Sequence, residues 1–296
     1  MIEVRGLTKR FGRVTAVDQL SFKAQPGRVT GFLGPNGSGK TTTLRAALGL
    51  VKPSAGDVVF DGRHYAQIRR PARAIGAAVE ASSFHPGRTA LNHLEALAPE
   101  VGVPGSRCRE VLELVGLAGQ AGKRVGQFSM GMRGRLTVAA ALLGDPSTLL
   151  LDEPTNGLDP EGITWMRSLI RAMAAQGRTV LISSHLLGEV ERTVDDVVII
   201  ARGSLVHASS LAELEQMGAP ATVVAATDPA ALAELARREG WDARPGPGGS
   251  LTVRGIGADG IGQKAFAAGL PLTQLASQKA GLEQAYFRLT EGGGLE

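Results

Sequence analysis

Three scarcities narrow the possibilities first. The 296 residues contain a single cysteine, Cys108, so neither a disulfide framework nor a thiolate metal cluster can be built. Aromatic residues make up only 4%, too few for the stacking platforms of single-strand nucleic-acid binders. No apolar run approaches the roughly 18–20 residues that span a bilayer; Thr137–Gly144 and Val194–Ala201 are short enough to be buried helix or strand. Met1-Ile2-Glu3-Val4-Arg5 lacks the apolar core of a signal peptide. The expectation is a cytoplasmic chain whose membrane role, if any, runs through partners. The net charge of +4 comes from scattered basic residues rather than a stripe, so nucleic acid is not an expected partner.

Residues 1–217 alternate strand-like and helix-like segments. Ile2–Val4, Leu20–Ala24, Val29–Leu33, Asp57–Phe60, Thr148–Leu151 and Thr179–Ser183 read as strands. Thr41–Leu50, Leu91–Leu97, Cys108–Val115, Ser129–Leu143 and Glu161–Ala175 read as helices, with Pro99–Gly105 separating the second from the third. That order predicts an α/β fold with a parallel sheet between helices. From residue 218 onward the texture changes. A strand (Ala221–Thr227), a helix (Pro229–Glu239), a Pro/Gly hinge (Pro245–Gly249) and a strand (Ser250–Arg254) are followed by helical stretches on either side of Leu272–Ala276. The expected division is a large domain over 1–217 and a small α+β domain over 218–296.

The strongest motif is Gly34-Pro35-Asn36-Gly37-Ser38-Gly39-Lys40-Thr41-Thr42. It fits G-x-x-x-x-G-K-[ST], follows a strand and opens a helix. Its glycines let backbone N–H groups turn inward around a phosphate, and the helix adds its positive end. Lys40 reaches the β- and γ-phosphates, and the Thr41 hydroxyl is placed to ligate Mg²⁺. A second motif, Thr148-Leu149-Leu150-Leu151-Asp152-Glu153, is an apolar strand ending in two acids. Asp152 there would hold magnesium through water, and Glu153 would polarise the attacking water as general base. Together these predict a P-loop NTPase that binds Mg-ATP. No N-K-x-D-type guanine-reading motif is present, which disfavours a GTPase.

Four further segments narrow the class. Phe128-Ser129-Met130-Gly131-Met132-Arg133-Gly134-Arg135-Leu136 resembles the signature motif of ABC ATPases, and Thr155-Asn156-Gly157-Leu158-Asp159-Pro160 resembles their D-loop. Ile182-Ser183-Ser184-His185 is similar to their switch-histidine segment. Lys9-Arg10-Phe11-Gly12 is similar to the loop whose aromatic stacks on adenine. The resemblance covers residues 1–215. It implies a RecA-like core with an antiparallel β subdomain and a helical subdomain at about 85–145. It implies a homodimer with composite ATP sites, in which Ser129, Gly131 and Met132 face a γ-phosphate held by the other chain. It places His185 on the γ-phosphate beside Glu153 and Asp159 at the dimer seam. It further implies a separate integral-membrane permease, with this chain peripheral at the inner face of the membrane. Phe84, His85 and Pro86 would line the groove that receives the permease.

Two departures from the common pattern are informative. Glu80 stands where many ABC ATPases carry glutamine, making a carboxylate rather than an amide the expected magnesium neighbour. Met130 and Met132 replace the usual glycine and glutamine of the signature. A glutamate at this position resembles the subgroup exporting bacitracin, lantibiotics and related antibiotics. Gly281–Thr290 is similar to the tail of daunorubicin-type drug-exporter cassettes. The reading is an exporter ATPase tied to antibiotic resistance. A nutrient importer and a non-transport ABC protein are the alternatives, opposed by Glu80, the tail, and the absence of a second cassette or a coiled-coil insertion.

Overall fold

The computed structural model describes residues 1–79, 84–185, 187–217, 221–278 and 286. Two compact units divide at Ser210/Leu211.

The first unit opens with two long strands, β1 (Ile2–Phe11) and β2 (Val14–Ala24), paired as a hairpin. Both run well beyond the short strands expected from local pattern. Register shifts between Val4 and Leu7, Leu7 and Lys9, and Lys9 and Arg10 interrupt the apolar–polar alternation by which strands are recognised. Strand β3 (Val29–Leu33) follows, then α1 (Lys40–Ala47) and β4 (Ala55–Phe60). β4 pairs with β1 and completes a three-stranded antiparallel sheet ordered β2-β1-β4.

A short α2 (Pro71–Ala74) leads into β5 (Ile75–Ala78). Three helices come next: α3 (Ala90–Val101), α4 (Ser106–Leu114) and α5 (Met130–Leu142). Pro99 lies within the last turn of α3 rather than between helices. The proline has no N–H to give the Glu95 carbonyl, yet the helix runs on until Gly102, at φ +77°, stops it. Cys108 is fully buried on α4, and burial pushes its thiol pKa up, which makes it a packing residue.

Strand β6 (Thr148–Asp152), helix α6 (Pro160–Ala175), strand β7 (Thr179–Ser184), helix α7 (Leu187–Val190) and strands β8 (Asp196–Ala201) and β9 (Ser204–Ser210) complete the unit. The central sheet has the order β5-β6-β7-β3-β8-β9. Its first five strands are parallel and β9 is an antiparallel edge. β3 and β7 are buried along their whole length, as a sheet covered on both faces requires. The register is what positions chemistry. Leu33 lies beside Ser184, and Asp152 beside Ser183. The segments leaving β3, β6 and β7 therefore emerge at one carboxyl edge of the sheet, where parallel α/β sheets hold ligands.

The second unit begins with α8 (Leu211–Met217). It continues β10 (Ala221–Ala226), α9 (Pro229–Arg238), β11 (Asp242–Pro245), β12 (Leu251–Arg254), α10 (Ala258–Ala267) and β13 (Leu272–Gln278). All neighbours in the order β11-β12-β10-β13 are antiparallel. This is the split βαβ arrangement of ferredoxin-like domains. Val224, Leu232, Val253 and Ile261 form its core. Asp228 caps α9 by accepting hydrogen bonds from the N–H groups of Ala230 and Ala231. Among the described residues, no helix is long and apolar enough to cross a membrane. The Gly281–Thr290 tail lies outside the described residues, Tyr286 excepted.

Candidate functional site

The loop between β3 and α1 is shaped by what surrounds it. A side chain at Gly34 would put its Cβ 2.4 Å from the Ile200 carbonyl oxygen. Gly39 has φ +104°, and a Cβ there would meet the Ala16 carbonyl oxygen at 2.5 Å. Neither position admits another residue without moving backbone. The far side of the loop is tied down by the Gly203 N–H donating to the Ser38 carbonyl at 3.0 Å. α1 has no side-chain cap, so the N–H groups of its first turn are free for an anion.

Lys40 is 6% exposed. Its ammonium donates to the carbonyls of Gly34 (2.6 Å) and Pro35 (3.2 Å), folding back across the space the loop encloses. Glu153 Oε1 is 3.7 Å away. Burial lowers the Lys40 pKa, and the carboxylates of Glu153 and Asp152 oppose that shift. An incoming polyphosphate would oppose it more strongly.

The two acids after β6 behave differently. Asp152 accepts from the Thr41 hydroxyl at 2.7 Å on one oxygen and from the Ser183 hydroxyl on the other. With its proton directed at Asp152, the Thr41 oxygen presents a lone pair, and these are hard oxygen donors of the kind magnesium selects. Among the described residues no three His, Cys, Asp or Glu side chains converge as a self-contained metal site. Glu153 sits just past the strand with φ +48°, a left-handed conformation costing a non-glycine residue about 1–3 kcal/mol. Its Oε2 is 2.9 Å from His185 Nδ1. The loop lysine, both acids and the histidine thus form one connected cluster, gathered at the carboxyl ends of β3, β6 and β7.

The remaining candidates lie elsewhere on the unit. Phe11 is 51% exposed at the end of β1, with the Lys9 ammonium 4.7 Å from its ring centre. It is an accessible aromatic face rather than a core residue. Ser129 caps α5, accepting from the Met132 N–H at 3.2 Å. That bond uses a lone pair and leaves the hydroxyl proton available. A Cβ on Gly131 would lie 3.2 Å from the Gly157 carbonyl oxygen, and Met130 packs across Gly157. Asp159 caps α6 through the Gly162 N–H at 2.8 Å. Ser129, Gly131, Met132 and Asp159 line a cleft of about 640 Å³, to which Lys123 and Arg135 also contribute. No residue of Gly34–Thr42 lines that cleft. Phe84 packs edge-on against His93, ring centres 4.8 Å apart. Glu80 lies outside the described residues.

Sequence reasoning missed one participant. Ser183 served only to mark the histidine segment, yet its hydroxyl touches both acids: it donates to Asp152 and accepts from the Glu153 N–H at 2.9 Å. That contact depends on β6–β7 register, which no linear motif encodes.

A family model described as "ABC transporter" matches residues 17–156, and one described as "Domain of unknown function (DUF8746)" matches residues 220–283. The chain is 44% identical over 210 residues to the bacitracin transport ATP-binding protein BcrA of Bacillus licheniformis, covering 70% of this chain and 69% of that protein. It is 36% identical over 206 residues to the lantibiotic transport ATP-binding protein SrtF of Streptococcus pyogenes, covering 70% of this chain and 89% of that protein. Among solved structures, the ATP-binding subunit of an ABC transporter superposes with a TM-score of 0.66 at 25% identity, over 73% of this chain and 92% of the other.

Proposed function

The chain belongs to the ABC transporter family as an ATP-binding subunit and ATPase, and from that premise we propose that it powers a multi-subunit exporter of antibiotics or other hydrophobic or peptide substrates. The observation that carries hydrolysis is the Lys40–Glu153–His185 cluster beside Thr41 and Asp152. The names of the bacitracin and lantibiotic relatives support export.

In this reading the first unit, residues 1–210, is the nucleotide-binding domain, and the second, 211–296, with α8 on its side of the boundary rather than before residue 218, is an accessory domain. ATP lies with its adenine against Phe11 and its phosphates in the loop Gly34-Pro35-Asn36-Gly37-Ser38-Gly39-Lys40-Thr41-Thr42. Lys40 exchanges its bonds to Gly34 and Pro35 for phosphate oxygens. Thr41, Asp152 and Glu80 would hold magnesium, which when bound would neutralise phosphate charge. Glu153 orients and deprotonates the attacking water, and His185 fixes the Glu153 carboxylate and reaches the γ-phosphate.

The cleft at Ser129, Gly131, Met132 and Asp159 has no phosphate loop of its own. This supports a homodimer in which each chain's α5 start completes the other chain's site. Closure on two nucleotides and reopening after hydrolysis would drive a separate integral-membrane permease. The chain would work at the inner face of the membrane through that permease, docked near Phe84, His85 and Pro86.

Two measurements test this. Co-purified with its permease in lipid vesicles, the chain should show ATPase activity stimulated by bacitracin or a lantibiotic. Stimulation by a nutrient instead, with uptake into the compartment facing the ATPase, would overturn export. Separately, Glu80→Ala should raise the Mg²⁺ concentration at half-maximal ATPase, because a charged ligand is lost. An unchanged magnesium titration would remove Glu80 from the metal site.

A further inference from the structure

Ser183 is fully buried at the carboxyl end of β7, directly beside Asp152 in the parallel register. We propose that Ser183 is a positioning residue for hydrolysis, pinning the Asp152 carboxylate and the left-handed Glu153 backbone into one rigid unit. The inference rests on Glu153 being the base, as argued above.

Hydrogen-bond bookkeeping leaves this hydroxyl one arrangement. The Glu153 N–H can only donate, so Ser183 Oγ accepts from it. The single hydroxyl proton then goes to Asp152. Thr41 supplies the other proton that Asp152 receives, but Thr41 rides on α1 behind the phosphate loop. Ser183 belongs to a strand buried along its whole length. Of the two donors, it is the one fixed independently of the nucleotide.

His185 comes two residues beyond Ser183, just past the end of β7. Both reach Glu153: Ser183 takes its N–H, and His185 takes its carboxylate at 2.9 Å. The end of β7 therefore grips the base at its backbone and at its reactive end. The backbone grip falls on the residue with φ +48°. Such a conformation persists only where the surroundings over-determine it. Removing the hydroxyl frees Glu153 to relax toward an ordinary backbone conformation, which moves its carboxylate away from the water it activates.

The test uses the full chain and three substitutions. Ser183→Ala should lower kcat about tenfold while changing the KM for ATP less than about twofold, the pattern of an interaction that matters in the transition state. Ser183→Thr keeps the hydroxyl and should restore most of kcat. Ser183→Val matches threonine in size without the hydroxyl and should resemble alanine, so packing damage is separated from loss of the hydrogen bonds. Parental kcat in Ser183→Ala, equal losses in the threonine and valine variants, or a loss confined to KM would each overturn the inference alone. A parent chain that neither binds nor hydrolyses ATP would overturn the reading beneath it instead.

Discussion

Glu153→Gln should bind ATP almost as the parent does, assemble as an ATP-trapped dimer, and lose about 10²–10⁴-fold in turnover, the range for removal of a general base. The amide keeps the length and shape of the carboxylate, so it still fits between His185 and the loop. It cannot take a proton from water. The ion pair with Lys40 at 3.7 Å disappears, and with it one of the charges opposing the depression of the Lys40 pKa by burial. Bound triphosphate more than replaces that charge, which is why affinity should survive while chemistry fails. Removing a carboxylate from the neighbourhood of the γ-phosphate also relieves like-charge repulsion, so the closed dimer should last longer. Single-turnover ATPase together with size-exclusion light scattering checks both halves. Unchanged turnover would mean that another group activates the water. Lost turnover with lost ATP binding would mean that Glu153 shapes the pocket rather than the reaction.

The parts of this site that could be read from the chain are those confined to one turn or one strand end. Gly34–Thr42 is such a stretch, as are the acids after Leu151 and the segment reaching His185. In each, neighbours in sequence are neighbours in space, and the backbone demands a restricted residue type. The outline of the parallel sheet was legible for a related reason, since wholly buried strands such as Val29–Leu33 are continuous apolar runs. What failed to show involved relations between distant segments. β1 and β2 looked short because their register shifts break the alternation. β11 was missed because Asp242-Ala243-Arg244-Pro245 is four residues long, polar and ends in proline, and only pairing with β12 makes it a strand. Pro99 signalled a helix break, but α3 runs through it and ends at Gly102. Ser183 is the clearest case. It lies 31 residues from the carboxylate it holds, and only the register of two buried strands brings them together.

Lys40→Ala should abolish measurable ATP binding, a larger effect on affinity than any other single change in the loop. The Lys40 ammonium is desolvated and held by two carbonyls, at 2.6 and 3.2 Å. Exchanging those neutral acceptors for anionic phosphate oxygens makes both partners of each hydrogen bond charged, and each such bond is worth about 1.5–3 kcal/mol. Losing two such bonds weakens binding by roughly 3–6 kcal/mol, or at least about a hundredfold. A second effect acts in the same direction. With Lys40 gone, Asp152 and Glu153 face the incoming triphosphate with no buried cation between them. The loop itself should persist, because its shape depends on Gly34 against Ile200, Gly39 against Ala16 and the Gly203–Ser38 hydrogen bond, none of which involves the lysine side chain. Lys40→Arg separates charge from fit: the guanidinium keeps the charge but is larger and planar, and the 6%-exposed site has little room for it. Isothermal titration with Mg-ATP should therefore find no binding for the alanine variant and strongly weakened binding for the arginine one. Near-parental affinity in Lys40→Ala would show that the backbone N–H groups carry the phosphates alone, and the assignment of the lysine to the β- and γ-phosphates would have to be withdrawn.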